Sequence, residues 1–230
     1  MSFVAGATNA GGFLAVGQYT SHMTGVLSSI ADNLVLGQLG LALAGFVALL
    51  AFLGGAMTTA WMVNWSLRRQ LRSAFARPLV VEAGLLLVFG LFGAAINFSA
   101  GLFMPLTVLL LCFIMGLQNA VITKISNAEI RTTHVTGLTT DIGIEIGKML
   151  YFNRADSQMK VVGNRRKLKI HLTLVAFFFI GGVLGATGFK IWGYITTIPL
   201  AFWLILLVWG PITHDIRRGR IAPRPAAAPR

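Results

Sequence analysis

The sequence predicts an all-α membrane protein of six transmembrane helices, built as two inverted three-helix repeats. Three observations predict it: composition, the spacing of apolar stretches, and an internal repeat. Of the 230 residues 56% are hydrophobic and only 11% charged, with a mean hydropathy of +0.76. A soluble domain is usually about 25% charged, so this chain lacks the polar residues to cover a globular surface. Its 26 glycines and 16 phenylalanines agree, since Gly is frequent in membrane helices. Soluble enzymes, disulfide scaffolds and disordered proteins are all disfavoured. The one cysteine, Cys112, lies in an apolar run and leaves no intrachain disulfide. No basic start precedes the first apolar stretch, so a signal peptide is not expected.

A span needs about 20 predominantly apolar residues. Leu39–Val63, Leu79–Phe98, Leu102–Ile122, His171–Phe189 and Ile191–Gly210 qualify. Ser2–Gln18 is a weaker sixth, interrupted by Gly6, Asn9, Gly11 and Gly12. Two semi-polar segments, Tyr19–Gly37 and Thr123–Phe152, follow the first and fourth spans. Within them, Val26–Leu36 and Leu138–Tyr151 read as short helices.

Basic residues orient the chain by the positive-inside rule. All but Lys190 of the 19 Lys and Arg fall in three places. These are Arg68–Arg77, Lys124–Lys169 and the tail from Arg217, which alternate spans place on one side. Both termini are therefore expected in the cytoplasm. The +12 net charge flanks spans, where it meets anionic lipid, so nucleic acid is not an expected partner. Residues 1–210 form a single transmembrane domain, with one repeat over about 1–98 and the other over about 102–210. Residues 211–230, with Pro223, Pro225 and Pro229, are expected as a disordered basic cytoplasmic tail.

Self-comparison supplies the repeat. Gly6-Ala7-Thr8-Asn9-Ala10 matches Gly116-Leu117-Gln118-Asn119-Ala120, and His22-Met23-Thr24-Gly25 matches His134-Val135-Thr136-Gly137. Each half thus reads Gly-x-x-Asn-Ala, a spacer, then His-x-Thr-Gly. An odd number of spans per half turns the halves opposite ways, as in many transporters, whose substrate sites lie between repeats. Fourteen residues, Leu102–Met115, precede the second Gly-x-x-Asn-Ala, but only Met1–Ala5 precede the first. The first span is therefore short by about nine residues, roughly 13 Å of helix; either it is irregular or the true start lies upstream, and an upstream segment is expected.

These motifs resemble the YoaK family of bacterial integral membrane proteins, a domain of unknown function. The resemblance rests on Ala5–Ala10, Ser21–Gly25, Met115–Ala120 and Arg131–Gly137 followed by Asp141, and spans nearly the whole chain. Family members commonly have a longer N-terminus, and often an Asp where Asn9 stands here. The resemblance implies a six-span permease-like protein without an established substrate.

Ionisable groups inside a span cost at least about 2.5–3.5 kcal/mol on insertion scales. His22 and His134 are repeat-related, each followed by a Thr (Thr24, Thr136) suited to helix N-capping and a Gly (Gly25, Gly137). Two roles fit the histidines: capping interfacial loops, or serving a central site as donors or titrating groups beside helix N-termini. Asn9, Gln118 and Asn119 fit either a pore lining or helix–helix contacts. Asp141, Glu145 and Lys148 share a helix face, with Glu145–Lys148 pairing as the default and Asp141 lacking a local partner. Glu82 is expected in an interfacial pair with Arg77. The small-x-x-x-small pair Gly181–Gly185 suits internal packing or a homo-oligomer contact.

Phosphate-loop, paired-cysteine and His-Glu-x-x-His signatures are absent from the chain. No enzyme activity, cofactor or metal is therefore expected. The sequence favours a permease or channel for a small solute, with the two motif pairs converging on the site. The rivals are a scaffold or accessory subunit holding its partner through Arg154–Lys169, and a lipid enzyme lacking any visible nucleophile.

Overall fold

The computed structural model describes residues 1–96, 98–125, 135–153 and 160–221. Among them lie eight α-helices and no strand: α1 Ser2–Val16, α2 Met23–Val35, α3 Leu39–Arg68, α4 Ala76–Ala95, α5 Ala100–Ile125, α6 Val135–Leu150, α7 Arg165–Trp192 and α8 Thr197–Ile221. Leu39–Arg68, Ala76–Ala95, Ala100–Ile125 and the run Arg165–Asp215 are long and apolar enough to cross a membrane. A 3₁₀ turn, Gly193–Thr196, divides that last run into α7 and α8. Gly193 opens the break at φ 60°, a left-handed conformation that Gly adopts without strain. The chain is a helical membrane-embedded protein.

At 15 residues α1 is about 22 Å long, short of an apolar layer of about 30 Å. It stops at Gly17, whose φ is 71° and whose N–H donates to the Phe13 carbonyl at 2.8 Å. Helices α2 and α6 match the two short helices expected, each beginning three residues earlier. At the other end, α8 passes the expected stop at Gly210, incorporates Pro211 and runs to Ile221. The start of the predicted disordered tail is therefore helical, while residues 222–230 lie outside the described residues. Asp215 supplies a reason: its carboxylate accepts the Ser73 N–H at 2.8 Å and the Arg72 N–H at 3.3 Å. That bond ties α8 to the turn between α3 and α4.

The main helix pairs recur when the chain's halves are exchanged, although α4 also packs closely on α5 whereas α8 barely touches α1. α1 lies along α7 and α5 along α3, so the first helix of each half packs on the third helix of the other. α2 rests on α3, α6 rests on α7, and α4 packs against α8. The two main crossings share one device. A Cβ on Gly6 would run into the Phe178 carbonyl of α7, and one on Gly116 into the Phe52 carbonyl of α3. Reciprocally, Gly181 abuts the Phe3 backbone and Gly55 the Phe113 carbonyl. Gly185 meets Ala7. The Gly181–Gly185 pair therefore serves internal packing, which removes it as a homo-oligomer contact. Apolar side chains of α1, α4, α5 and α8, among them Val4, Leu86, Ile114 and Leu204, fill the space between these crossings.

Ala at position 6 or 116 should lower the thermal midpoint in detergent, by about 1–3 kcal/mol of overpacking or more. Ala at Gly84, whose Cβ position is open, should instead be neutral or stabilise by about 0.5–1 kcal/mol.

Candidate functional site

The start of α2 is organised around His22. Its backbone is the N-cap, and the first helical bond runs from the Val26 N–H to the His22 carbonyl at 3.1 Å. Thr24, expected as the cap, instead lies in the first turn, because the helix begins earlier than the apolar pattern indicates. The imidazole folds back over Gly25, where a Cβ would come within 2.5 Å of Nδ1. Gly at that position leaves room for the ring in this orientation. Ser21, just before the cap, donates to Asn9 Oδ1 of α1 at 2.8 Å. Gly-x-x-Asn-Ala and His-x-Thr-Gly of the first half are thereby joined.

In the second half, Thr136 lies in the first turn of α6 rather than at its cap, and its carbonyl accepts the Thr140 hydroxyl at 2.9 Å. Gly137 follows it. His134 and Arg131–Thr133 lie outside the described residues. Asn119 bonds through Nδ2 to the Met115 carbonyl at 2.9 Å, and its own carbonyl accepts the Thr123 hydroxyl at 2.7 Å.

These elements meet around a cavity of ≈ 770 Å³. Its wall takes Ser21, His22 and Thr24 from the start of α2, Phe52 and Ala56 from α3, and Thr136 from α6. α5 contributes Gly116, Asn119, Ala120, Thr123 and Lys124. Both short helices begin here, so their free N–H groups and positive dipole ends lie at this cavity. Among the described residues, its charged or titratable side chains are basic, His22 and Lys124. The Lys124 ammonium is held by Asn64 Oδ1 at 2.9 Å. The volume suits a small solute.

Other expected site residues lie elsewhere. Asn9 lines a second, more apolar cavity of ≈ 490 Å³ with Gly6, Ala10, Val135 and Phe178. Gly25 lines a third, of ≈ 510 Å³, which His22 also borders. Gln118 is fully buried and turns from the cavity toward α4, where its Nε2 donates to Glu82 Oε1 at 2.8 Å. Glu82 is accordingly a buried carboxyl group and not an interfacial partner of Arg77. The Arg77 guanidinium bonds Ser73 Oγ at 3.3 Å and lies 4.9 Å over the Trp65 ring.

Asp141 is also away from the cavity. It has an ion-pair partner on α7 that its own helix does not reveal, Lys167 Nζ at 3.4 Å, with His171 Nδ1 near it at 3.7 Å, beyond hydrogen-bond distance. Glu145 pairs with Lys148 at 3.0 Å, and its second oxygen accepts the Asn164 N–H at 2.6 Å. Asn164 in turn caps α7 by accepting the Lys167 N–H. These bonds clasp α6 to the start of α7. Sequence reasoning missed Ser21, Phe52, Thr123 and Lys124 as well as Glu82. Position beside a repeated motif was the available signal for Ser21 and Thr123.

The Asn164 N–H, then Lys148, hold the Glu145 carboxyl below its ordinary value. A depressed value means that the clasp is complete above the ordinary carboxylate range and is lost as pH falls through the lower folded value. The Asn164 amide proton resonance should follow that titration by NMR. Glu145→Gln should abolish the titration and loosen α6 from α7.

No curated protein and no solved structure matches the chain. A family model described as "Protein of unknown function (DUF1275)" matches residues 1–210, in keeping with the YoaK resemblance. The chain is a member of this family of unknown function.

Proposed function

We infer that the protein is a permease or channel for a small solute, with its site in the cavity between the starts of α2 and α6. One observation carries the reading: a single cavity receives His22 and Thr24 from the first half, and Asn119 and Thr136 from the second. Repeat-built transporters bind substrate where their halves meet, with interrupted helices presenting their N-termini. In this reading the six spans are α1, α3, α4, α5, α7 and α8, and the two halves are inverted. The pairing of α1 with α7 and of α5 with α3 recurs when the halves are exchanged, as two halves related by a two-fold axis require.

The same reading puts both termini in the cytoplasm of the bacterial inner membrane. Arg69 lies 4.3 Å over the Trp65 ring beside the turn between α3 and α4, an aromatic–basic pairing suited to a cytoplasmic interface. The basic segments then face anionic lipid. A solute entering the cavity meets hydroxyls, the Asn119 amide and His22, and trades its hydration for them. A transport role accounts for this arrangement without any chemical step.

A thermal-shift screen of ions, amino acids, organic anions and nucleobases tests the reading. A solute at one hundred times its dissociation constant adds about 2.7 kcal/mol to stability. The expected result is a hit on the wild type that disappears in His22→Ala/Asn119→Ala. A hit that survives in the double variant would place the site elsewhere. No hit across the panel would count against solute binding and favour a scaffold.

A further inference from the structure

Glu82 lies two turns inside α4 with no exposed surface, in a helix apolar and long enough to cross a membrane. An ionisable group in that setting needs a reason. Its neighbour on α5 is Gln118, also fully buried, whose Nε2 donates to Glu82 Oε1. One oxygen on each side chain, Glu82 Oε2 and Gln118 Oε1, has no hydrogen-bond partner among the described residues. Both atoms are acceptors, and a carboxylate has no donor to offer. The pair is thus short of a donor, and a buried acceptor without one is costly. A proton on Oε2 changes both terms. It turns an acceptor oxygen into a donor and removes a charge from a low-dielectric interior.

We propose that the Glu82–Gln118 pair is a proton-binding site in the membrane interior, where Glu82 takes up and releases one proton on Oε2 while Gln118 holds the carboxyl through Oε1. Uptake converts carboxylate and a proton from water into the neutral acid, and release reverses it with no other reactant. The group acting on Glu82 from the surrounding elements, among the described residues, is the amino end of Met1 in the chain as given, a charge that an upstream segment would replace with a neutral peptide group. Arg77 on the same helix is committed to Ser73 and Trp65. The site stands apart from the solute cavity, whose lining does not include either residue. It therefore does not depend on which solute the cavity takes.

Infrared difference spectra of the full chain in lipid bilayers, titrated from mildly acidic to mildly alkaline pH, test the proposal. The expected result is a protonated-carboxyl C=O band that is lost as pH rises and is missing from Glu82→Gln. That substitution replaces the acid with an amide of the same shape, which retains an acceptor and adds donors. Gln118→Met should move the band to higher frequency, because Oε1 loses its N–H donor. Isotopic labelling of glutamate carboxyls in the wild type should shift the same band, which assigns it without relying on the folding of a variant. The chain has only Glu82, Glu129 and Glu145 to distinguish. Absence of a glutamate band, a band retained in Glu82→Gln, or one unchanged across the pH range would each overturn the proposal.

Discussion

Backbone contact between helices is the constraint on which the rest of the structure depends. Lipid tails are as apolar as Leu, so membrane helices gain little from hydrophobic burial against one another, and dispersion contacts take over. Those contacts are densest where side chains are absent. Gly6 on the Phe178 carbonyl and Gly116 on the Phe52 carbonyl bring α1 to α7 and α5 to α3 with no side chain between them. Three residues beyond each glycine stands Asn9 or Asn119, on the same side of its helix. The close crossing thus carries a polar amide to the wall of a cavity, Asn9 to one and Asn119 to another. Packing and site placement are one event.

Polar groups carried inward need partners, and the partners shape local structure. Asn9 receives the Ser21 hydroxyl, which fixes the approach to α2. His22 then caps that helix and folds its ring over Gly25. Thr59 of α3 donates to the Leu117 carbonyl of α5, adding a buried hydrogen bond beside the glycine crossing. Glu82 and Gln118 satisfy each other only in part. At the opposite end of the polarity scale, Asp141 and Glu145 stay near the basic start of α7, where charge is paired and partly hydrated. A steep division follows between a membrane interior of amides and hydroxyls and a margin of ion pairs.

Much of this was legible in the residues. Apolar length located α3, α4, α5, α7 and α8, and turn chemistry with the repeat located α2 and α6. The pairing of Glu145 with Lys148 followed from helix spacing. What escaped was helical phase. A helix that is apolar all round, such as α5, does not reveal which face meets which neighbour. Adjacent residues point about 100° apart, so Gln118 and Asn119 diverge, one toward α4 and the other toward the cavity. For the same reason Glu82 looked like a companion of Arg77, although the fold turns it toward α5. Asp141 has its partner on α7, a contact across 26 residues of sequence that local spacing does not encode. The helical extension past Pro211 depends on Asp215 reaching Ser73, which is again a tertiary contact.

In the proposed arrangement the short helices α2 and α6 belong to oppositely oriented halves and approach one cavity from opposite faces of the membrane. Labelling with a membrane-impermeant thiol reagent tests it most directly. Cys112→Ala removes the native thiol, and single cysteines at Gln38, after α2, and at Phe152, after α6, then report their sides. In intact cells, with access through the outer membrane, the account predicts reaction at position 38 and none at position 152 until the inner membrane is permeabilised. Reaction of both positions from one side would contradict the inverted arrangement, and with it the convergence of the two halves on a shared site.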